Sequence, residues 1–443
     1  MSEFVLPDSV TAVIDRLNAC GYEAYAVGGC VRNFLLGTEP KDYDVTTSAK
    51  PDEILSVFDG MRVIETGIKY GTVTVISDGM PIEVTTYRVD GDYSDNRRPD
   101  SVCFTTKLAE DLKRRDFTVN AMAFNPRTGI VDIFGGRDDL RSGVLRAIGD
   151  PDERFGEDGL RIMRALRFAS CYGLKIEEKT ALSIHRNRRL LENIAGERIA
   201  AELNRIICGS CGDVLREYCD VFAVFLPEIM ACKGFKQHTK YHNRDVLEHI
   251  ITTVTAIEPE LHLRLTMLLH DIGKPLYFTM GEDGIGHFKG HAEGSRIIAG
   301  EFLRRLKYGN VISEKVIQLV LTHDVFIEDR ENLIKRYLNR YGSDMFFDMI
   351  KVHIADDKGK APEFGDRIKT YEAAAETARQ IIARNDCFSL KQLAVNGNDI
   401  KALGYKGAEI GEKLNFLLEL VTDRKCENSK EALLGALEEQ GGK

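Results

Sequence analysis

Tyr25-Ala-Val-Gly-Gly-Cys-Val-Arg-Asn33 and, close behind it, Asp42-Tyr-Asp-Val-Thr-Thr47 set the architecture of the front of this chain. The short apolar run from Tyr25 to Val27 enters two glycines, a helical stretch runs from Cys30 to Leu36, and Asp42 to Thr47 has strand composition. Further on, Gly71-Thr-Val-Thr-Val-Ile76 and Met80-Pro-Ile-Glu-Val-Thr-Thr-Tyr87 flank Ser77-Asp78-Gly79, which predicts a β-hairpin. The first 140 residues read as a small mixed β-sheet with helices.

Beyond Gly149-Asp150-Pro151 the β-branched alternation fades, and helical spacing takes over from Asp158 to about Ile207, with Ile162, Leu166 and Ala169 on the recurring apolar face. Nine of the ten histidines lie between His238 and His353, which marks a separate helical unit with its own chemistry. A charged tail from about Ala361 carries helix-favouring runs near Tyr371 to Ala383 and Gly411 to Val421. The expected fold class is α+β, with a sheet-bearing head at 1–140 and all-helical regions at 141–225 (a neck), 226–360 and 361–443 (a tail).

Sixty Lys and Arg against 69 Asp and Glu give a formal net charge of −9, which excludes a uniformly basic nucleic-acid coat. Any RNA partner must find a local basic surface. The 43% of hydrophobic residues supplies cores for several domains. The first residues lack a basic leader pattern, no segment has the apolar length to span a bilayer, and the ten cysteines are scattered. A cytoplasmic protein with reduced thiols and no membrane partner is expected. Cys208-Gly-Ser-Cys211 has no second C-x-x-C to complete a zinc site and reads as structural. Nothing in the sequence sets an oligomeric state.

Residues i and i+2 of a strand share a face, so Asp42 and Asp44 are expected side by side, with Glu83 of the neighbouring hairpin as a third oxygen donor. Hard oxygen ligands suit Mg²⁺ that also binds substrate phosphates. Two such ions activate a hydroxyl and stabilise leaving pyrophosphate. Alone, D-x-D as readily caps a loop and Gly28-Gly29 as readily makes a turn. Together they join a metal site to a phosphate cradle, in which bare backbone N–H groups are reinforced by Arg32.

With Arg114-Arg-Asp-Phe-Thr-Val-Asn-Ala-Met122 and Gly156-Glu-Asp-Gly-Leu-Arg-Ile-Met-Arg-Ala-Leu-Arg-Phe168, these residues resemble the class II tRNA nucleotidyltransferases and bacterial poly(A) polymerases, in order along the chain. The resemblance implies that Gly28, Gly29 and Arg32 hold a triphosphate, that Asp42 and Asp44 bind the catalytic metals, and that Arg115, Asp116 and Asn120 contact the incoming nucleotide's sugar and phosphates. Asn33 departs from the family, which usually has Asp there; an amide still accepts a hydrogen bond but brings no charge.

Read as one helix, Asp158 and Arg161 share a face at i and i+3, a spacing that a plain surface ion pair also satisfies. Cytosine and adenine both set an exocyclic amino donor beside a ring-nitrogen acceptor, so a carboxylate and a guanidinium read both. Guanine and uracil reverse that order and leave the pair unmatched. The resemblance assigns base selection to this Glu157-Asp-Gly-Leu-Arg161 stretch, and Arg164 and Arg167 continue the ladder. Arg186, Arg188, Arg189, Arg198 and Arg205 follow as a candidate RNA surface, in a region, 141–205, with 13 basic and 10 acidic residues. The polar segment from Tyr87 to Asp100 reads as a mobile loop or a plain connection; in the family such a loop accompanies enzymes that complete the terminal A.

His249, His270-Asp271, His291, His323 and Asp356 resemble the ordered ligands of HD metal-dependent phosphohydrolase domains, with an apolar helix from Leu265 that Gly273 ends. The resemblance implies one ion on His249, His270, Asp271 and Asp356 and a second on His291 and His323 beside the shared Asp271. Such a donor set accepts several divalent transition metals or Mg²⁺ and would polarise a phosphate and activate water. His185, His238, His242, His262, His287 and His353 read as core or surface residues. The tail from Leu393 to Asn415 resembles the part of the family that grips folded tRNA; its residues alone describe a helical pair broken at Gly407 and Gly411.

The function implied is template-independent addition of C, C and A to the tRNA 3′ end from CTP and ATP, with release of pyrophosphate. A poly(A) polymerase and a partial CC- or A-adding enzyme share these motifs. From other classes, an HD phosphohydrolase acting on RNA ends or nucleotides and a non-catalytic RNA-binding protein stay open.

Overall fold

The computed structural model describes residues 5–91, 101–239, 244–360 and 367–441. The chain forms two compact units, Met1–Pro227 and Glu228–Lys443.

The first unit opens with α1 (Asp8–Ala19), β1 (Ala24–Val27), α2 (Gly29–Leu35), β2 (Asp44–Thr47), α3 (Pro51–Val57) and β3 (Val63–Ile64). It continues through β4 (Thr72–Ser77), β5 (Met80–Thr86), β6 (Arg88–Asp90), β7 (Val102–Phe104), α4 (Leu108–Lys113), β8 (Met122–Asn125) and β9 (Gly129–Asp132). Seven strands make one sheet in the order β3-β4-β5-β2-β1-β8-β9, and β2 with β5 is its parallel pair. Val73 and Val75 of β4 point into the core while its threonines stay half-buried, the alternation that the hairpin sequence carries. A two-residue turn closes β4 on β5, and Asp78 and Gly79 both adopt positive φ, 49° and 80°, as the tightest hairpins require. Buried Val10, Val13, Ile14 and Leu17 give α1 its apolar stripe.

Two local expectations are corrected here. The second strand begins at Asp44, and Asp42 lies in the approach to it. Part of the polar segment after Tyr87 is ordered as β6, which pairs with β7 through Val89↔Cys103, because Val89, Val102 and Phe104 suit an extended pair. Residues 92–100 of that segment lie outside the described residues.

The unit closes with α5 (Gly136–Arg141), β10 (Val144–Leu145), α6 (Pro151–Glu157), α7 (Leu160–Tyr172), β11 (Lys175–Ile176), α8 (Glu178–Asn187), α9 (Gly196–Ile207), α10 (Gly212–Glu217) and α11 (Cys219–Phe222). The helical spacing read through Asp158 is broken there. Asp158 is extended (φ −139°, ψ 104°), between α6 and α7, and its Oδ1 accepts from the Leu160 N–H at 3.0 Å. A short polar side chain bonding the backbone just ahead favours a turn over helix continuation.

The second unit is helical apart from the short pair β12 (Thr279–Met280) and β13 (Gly286–His287). Its helices are α12 (Ile229–Cys232), α13 (Val246–Ala256), α14 (Leu261–Leu269), α15 (His291–Arg305), α16 (Asn310–Thr322), α17 (Glu331–Tyr341), α18 (Ser343–Gly359), α19 (Arg367–Ala383), α20 (Gly397–Ala402), α21 (Ala408–Thr422) and α22 (Lys430–Gly441). Asp245 caps α13 by accepting from the Glu248 N–H at 2.7 Å, which fixes the start of the helix that carries His249. Helix α14 ends at Leu269, before Gly273; that glycine serves close packing instead, since a Cβ there would lie 2.7 Å from the Ser295 nitrogen on α15. Gly411 lies inside α21 and does not break it, whereas Gly407 starts that helix with φ 58°. His242 lies outside the described residues.

Candidate functional site

Register brings the front constellation to one end of the sheet. Val27, the last residue of β1, pairs with Asp44, the first of β2, and Asp44 is the parallel partner of Glu83 on β5. The chain leaves β1 at Gly28 with φ 75° and ψ −123°, and a Cβ there would lie 3.1 Å from Nη1 of Arg115. Glycine thus serves both the backbone conformation and the close guanidinium. Asp42, Asp44 and Glu83 are all exposed. Asp44 nevertheless titrates above the ordinary carboxylate range: loss of solvation raises it most, Arg115 opposes, and Glu83 and Asp42 add to the rise. Three crowded carboxylates, offering only oxygen, fit a hard divalent cation that would relieve their repulsion.

Asp111, which no motif singled out, anchors the positive side. It is fully buried, binds Arg114 at 2.8 Å and Arg115 at 3.5 Å, and accepts from the Thr46 hydroxyl at 3.1 Å. Its i, i+4 spacing to Arg115 was the available signal.

Asp116 lies deeper. Its Oδ2 takes both Nε and Nη2 of Arg164, at 2.8 and 2.6 Å, while Oδ1 accepts from the Phe117 N–H and the Asn120 amide. Burial would raise this carboxyl, but Arg164 and Asn120 hold it down to about 2. Asn120 in turn accepts from Nη1 of buried Arg32. Gly28, Arg32, Asp116 and Asn120 therefore form one connected wall.

The pair expected for base reading is not a pair in this structure. Asp158 faces Arg198 at 3.3 Å, and Arg161 binds Glu157 and donates to the Arg154 and Arg114 carbonyls at 3.0 and 3.1 Å. Asp158 lies in the extended break before α7, and its Oδ1 is engaged by the Leu160 N–H. On the ladder, Arg167 is partnered by Glu202, and of the arginines read as RNA surface Arg186 meets Asp152 and Arg188 meets Asp220.

In the second unit six side chains gather from α13, α15, α18 and the ends of α14 and α16. His249, His270, Asp271 and Asp356 form one group and Asp271, His291 and His323 another, with ligand atoms in each within 4.8 Å of one another. Among the described residues no other such group occurs, and Asp42, Asp44 and Glu83 are not drawn in that tightly. All four histidines turn Nδ1 to a backbone carbonyl: His249 to Gly359 at 3.2 Å, His270 to Met267 at 2.8 Å, His291 to Phe288 at 2.8 Å and His323 to Val320 at 2.7 Å. Such outer contacts aim Nε2 inward in the form that binds metal.

Both Asp271 oxygens are buried without a well-directed hydrogen bond, the state of a carboxylate shaped for a cation. Lys274 and Lys360 supply positive charge, each 2.6 Å from Asp271 and Asp356 respectively. Burial opposes charge on His270, yet Asp271 and then Asp356 carry it up to about 9. Asp271 and Asp356 lie well below the usual range despite burial, held there foremost by His270 and Lys360 respectively. The centre opens into a cavity of about 680 Å³ lined by Lys274, His291, His323, Asp356 and Lys360 among others.

Comparison with known proteins adds whole-chain similarity. Residues 24–146 match the poly A polymerase head domain, 173–232 the probable RNA and SrmB-binding site of polymerase A, and 291–437 the putative domain 2 of tRNA nucleotidyltransferase. The CCA-adding enzyme of Lactobacillus helveticus is 34% identical over 453 residues, covering 98% of each chain. That of Lacticaseibacillus paracasei is 49% identical over 205 residues, 46% of this chain and 51% of the relative. The crystal structure of the Bacillus stearothermophilus CCA-adding enzyme in complex with CTP superposes with a TM-score of 0.70 at 27% identity, covering 99% of this chain and 98% of that one. The Thermotoga maritima CCA-adding enzyme complexed with tRNA, 20% identical, shares the fold with a TM-score of 0.61 over 99% of this chain and 97% of its own. This chain belongs to the CCA-adding enzyme family.

Proposed function

We propose that this chain adds C, C and A in turn to the 3′ end of tRNA, using CTP and ATP and releasing pyrophosphate. The observation that carries the reading is the convergence of the Gly28 turn, Asp44 and Glu83 at one end of the sheet, with Arg115 against the turn. In this reading the turn's backbone N–H groups, Arg32 and Arg115 hold the triphosphate. Asp42, Asp44 and Glu83 hold Mg²⁺, which when bound supplies Lewis-acid charge at the transferring phosphate and the leaving pyrophosphate. Asp116, clasped by Arg164, orients Asn120 toward the nucleotide's sugar. Asp158 and Arg161 choose the base after exchanging their present partners for its Watson–Crick edge.

Catalysis belongs to residues 1–140, base choice and RNA contact to 141–225, a metal-binding region to 226–360, and a tRNA grip to 361–443. Similarity to CCA-adding relatives supports work in the cytoplasm on tRNA. The test is incubation with Mg²⁺, CTP and ATP on tRNA transcripts ending at the discriminator base, at C and at CC, with product ends sequenced. Extension that stops at CCA is expected; long A tails, CC alone or no extension would each overturn it.

A second reading concerns the rear centre, favoured by the sharing of Asp271 between two ligand groups. We assign it to divalent metal binding, in the manner of HD phosphohydrolases, with His249, His270, Asp271 and Asp356 on one ion and His291 and His323 on the other. Bound metal there would polarise a phosphate and activate water. Metal content and phosphate-ester hydrolysis by the full chain, with and without Asp271→Asn, test it while CCA addition serves as the control.

A further inference from the structure

Cys387, Leu393, Ile400, Leu417 and Leu433 belong to an apolar core of the tail that draws, among the described residues, on positions 387 to 437. Where this part meets α17, charged side chains gather from three elements. Glu331 of α17 binds Lys335 at 3.0 Å, Arg384 at 3.3 Å and Arg424. Asp386 binds Lys335 at 3.0 Å and Arg384 at 2.9 Å, while Asp423 binds Arg336 at 3.0 Å and Lys425 at 3.2 Å. Arg384 and Asp386 follow the end of α19, and Asp423 to Lys425 follow the end of α21.

Five cations thus share three acids, and the two signs lie at different depths. The side chains of Arg336, Arg384, Arg424 and Lys425 are between 47% and 71% exposed, those of the three acids between 18% and 26%. Positive charge in excess therefore faces solvent, above carboxylates that hold the long side chains in place. Exposed ion pairs of this kind contribute little to stability. Ordering a cation beforehand does lower the entropy lost when a phosphate meets it.

The backbone supplies a separate observation. Arg424 adopts φ 58° just past α21, and the Lys425 N–H donates back to the Leu420 carbonyl at 2.8 Å. That left-handed closing position of a helix favours glycine, or asparagine, as at Asn385 (φ 53°) past α19. An arginine there carries a backbone cost that its exposed guanidinium does not recover by burial.

We propose that the junction of α17 with the tail, through Arg336, Arg384, Arg424 and Lys425, is a contact for the phosphate backbone of tRNA. It extends RNA contact from the tail into the region assigned to metal binding. A polyanion suits excess charge that is already ordered, and an acidic chain needs such a local surface to bind one. This rests on the reading that the chain acts on tRNA.

Binding of a tRNA transcript to the full chain is measured by filter retention at graded salt. The wild type is compared with Arg336→Gln, Arg424→Gly and, as a control, Arg296→Gln, which removes a paired surface cation from α15. Arg336→Gln and Arg424→Gly are each expected to weaken binding about fivefold and to lower the slope of log affinity against log salt by about one, the mark of a lost phosphate contact. Arg424→Gly is also expected to keep or raise the unfolding midpoint, because glycine relieves the positive φ. A structural role would lower that midpoint instead, since a cation at a helix C-terminus suits the helix dipole. Affinity and slope unchanged in both variants, affinity lost only together with the midpoint, or an equal loss in Arg296→Gln overturns the proposal. CCA addition by the wild type separates the two readings. If it extends tRNA while the variants bind normally, the junction fails alone; if it extends no tRNA, the reading on which the proposal rests fails.

Discussion

Asp44 and Glu83 are register partners across the sheet's parallel strand pair, so two carboxylates occupy one rung at its exposed end. A bound divalent cation would relieve the repulsion between them. Asp44→Asn or Asp42→Ala is expected to lower CTP incorporation by about a thousandfold or more, as loss of several kcal/mol of metal-borne stabilisation implies. Binding of tRNA, followed by filter retention, is expected to be unchanged. Incorporation that survives either substitution would remove these aspartates from the metal site.

Gly28 combines a positive φ with a guanidinium 3.1 Å from where a Cβ would stand. Gly28→Ala is expected to cost about 1–3 kcal/mol of stability through backbone strain and to displace Arg115. A lower unfolding midpoint accompanied by a raised KM for both nucleotides is the expected measurement.

Asp116 holds Arg164 with two donors on one oxygen, and its carboxyl sits at about 2 against an ordinary 3.8. A carboxyl depressed on folding contributes stability that is complete above the unfolded value and lost as pH falls through the folded one. The contribution, about 2 kcal/mol, is therefore present above about pH 4 and disappears between about pH 4 and 2. Asp116→Asn leaves Arg164 without its carboxylate and is expected to destabilise by about 3 kcal/mol near neutral pH. Denaturation midpoints of the two proteins are expected to converge as pH drops to about 2; a constant gap would refute the assignment.

Asp158 and Arg161 have separate partners in the structure, Arg198 and Glu157. Asp158→Ala is expected to relax the choice among CTP, ATP, GTP and UTP by about tenfold or more while transfer continues. Single-nucleotide incorporation with each triphosphate checks this, and unaltered selectivity would end the template role.

Gly359 lies where a Cβ would stand 2.8 Å from Nδ1 of His249 and 2.5 Å from Cγ2 of Thr253. Its carbonyl also accepts from that Nδ1. Gly359→Ala is expected to lower metal affinity at the rear centre by about 10–100-fold, the usual cost of disturbing a ligand's outer support. Asp271→Asn is expected to empty both groups. Metal content after dialysis measures each, and CCA addition is expected to persist in both variants.

Local pattern carried a large part of this protein. The alternating valines at positions 73 and 75, the Asp78-Gly79 turn and the glycine entry to α2 follow from strand period and positive-φ chemistry, which neighbouring residues encode. The resemblance to HD domains named the rear side chains, and the structure gathers those six into two groups that share Asp271. What the sequence did not hold was distance. Arg32 meets Tyr172 across 140 positions, His249 meets Asp356 across 107, and Asp158 leaves its helix for an arginine 40 residues away. Such contacts depend on how buried faces pack, and no spacing along the chain reports that. The sequence by itself determined which groups are present and how each short stretch folds, and only the tertiary structure decided which of them share a charge.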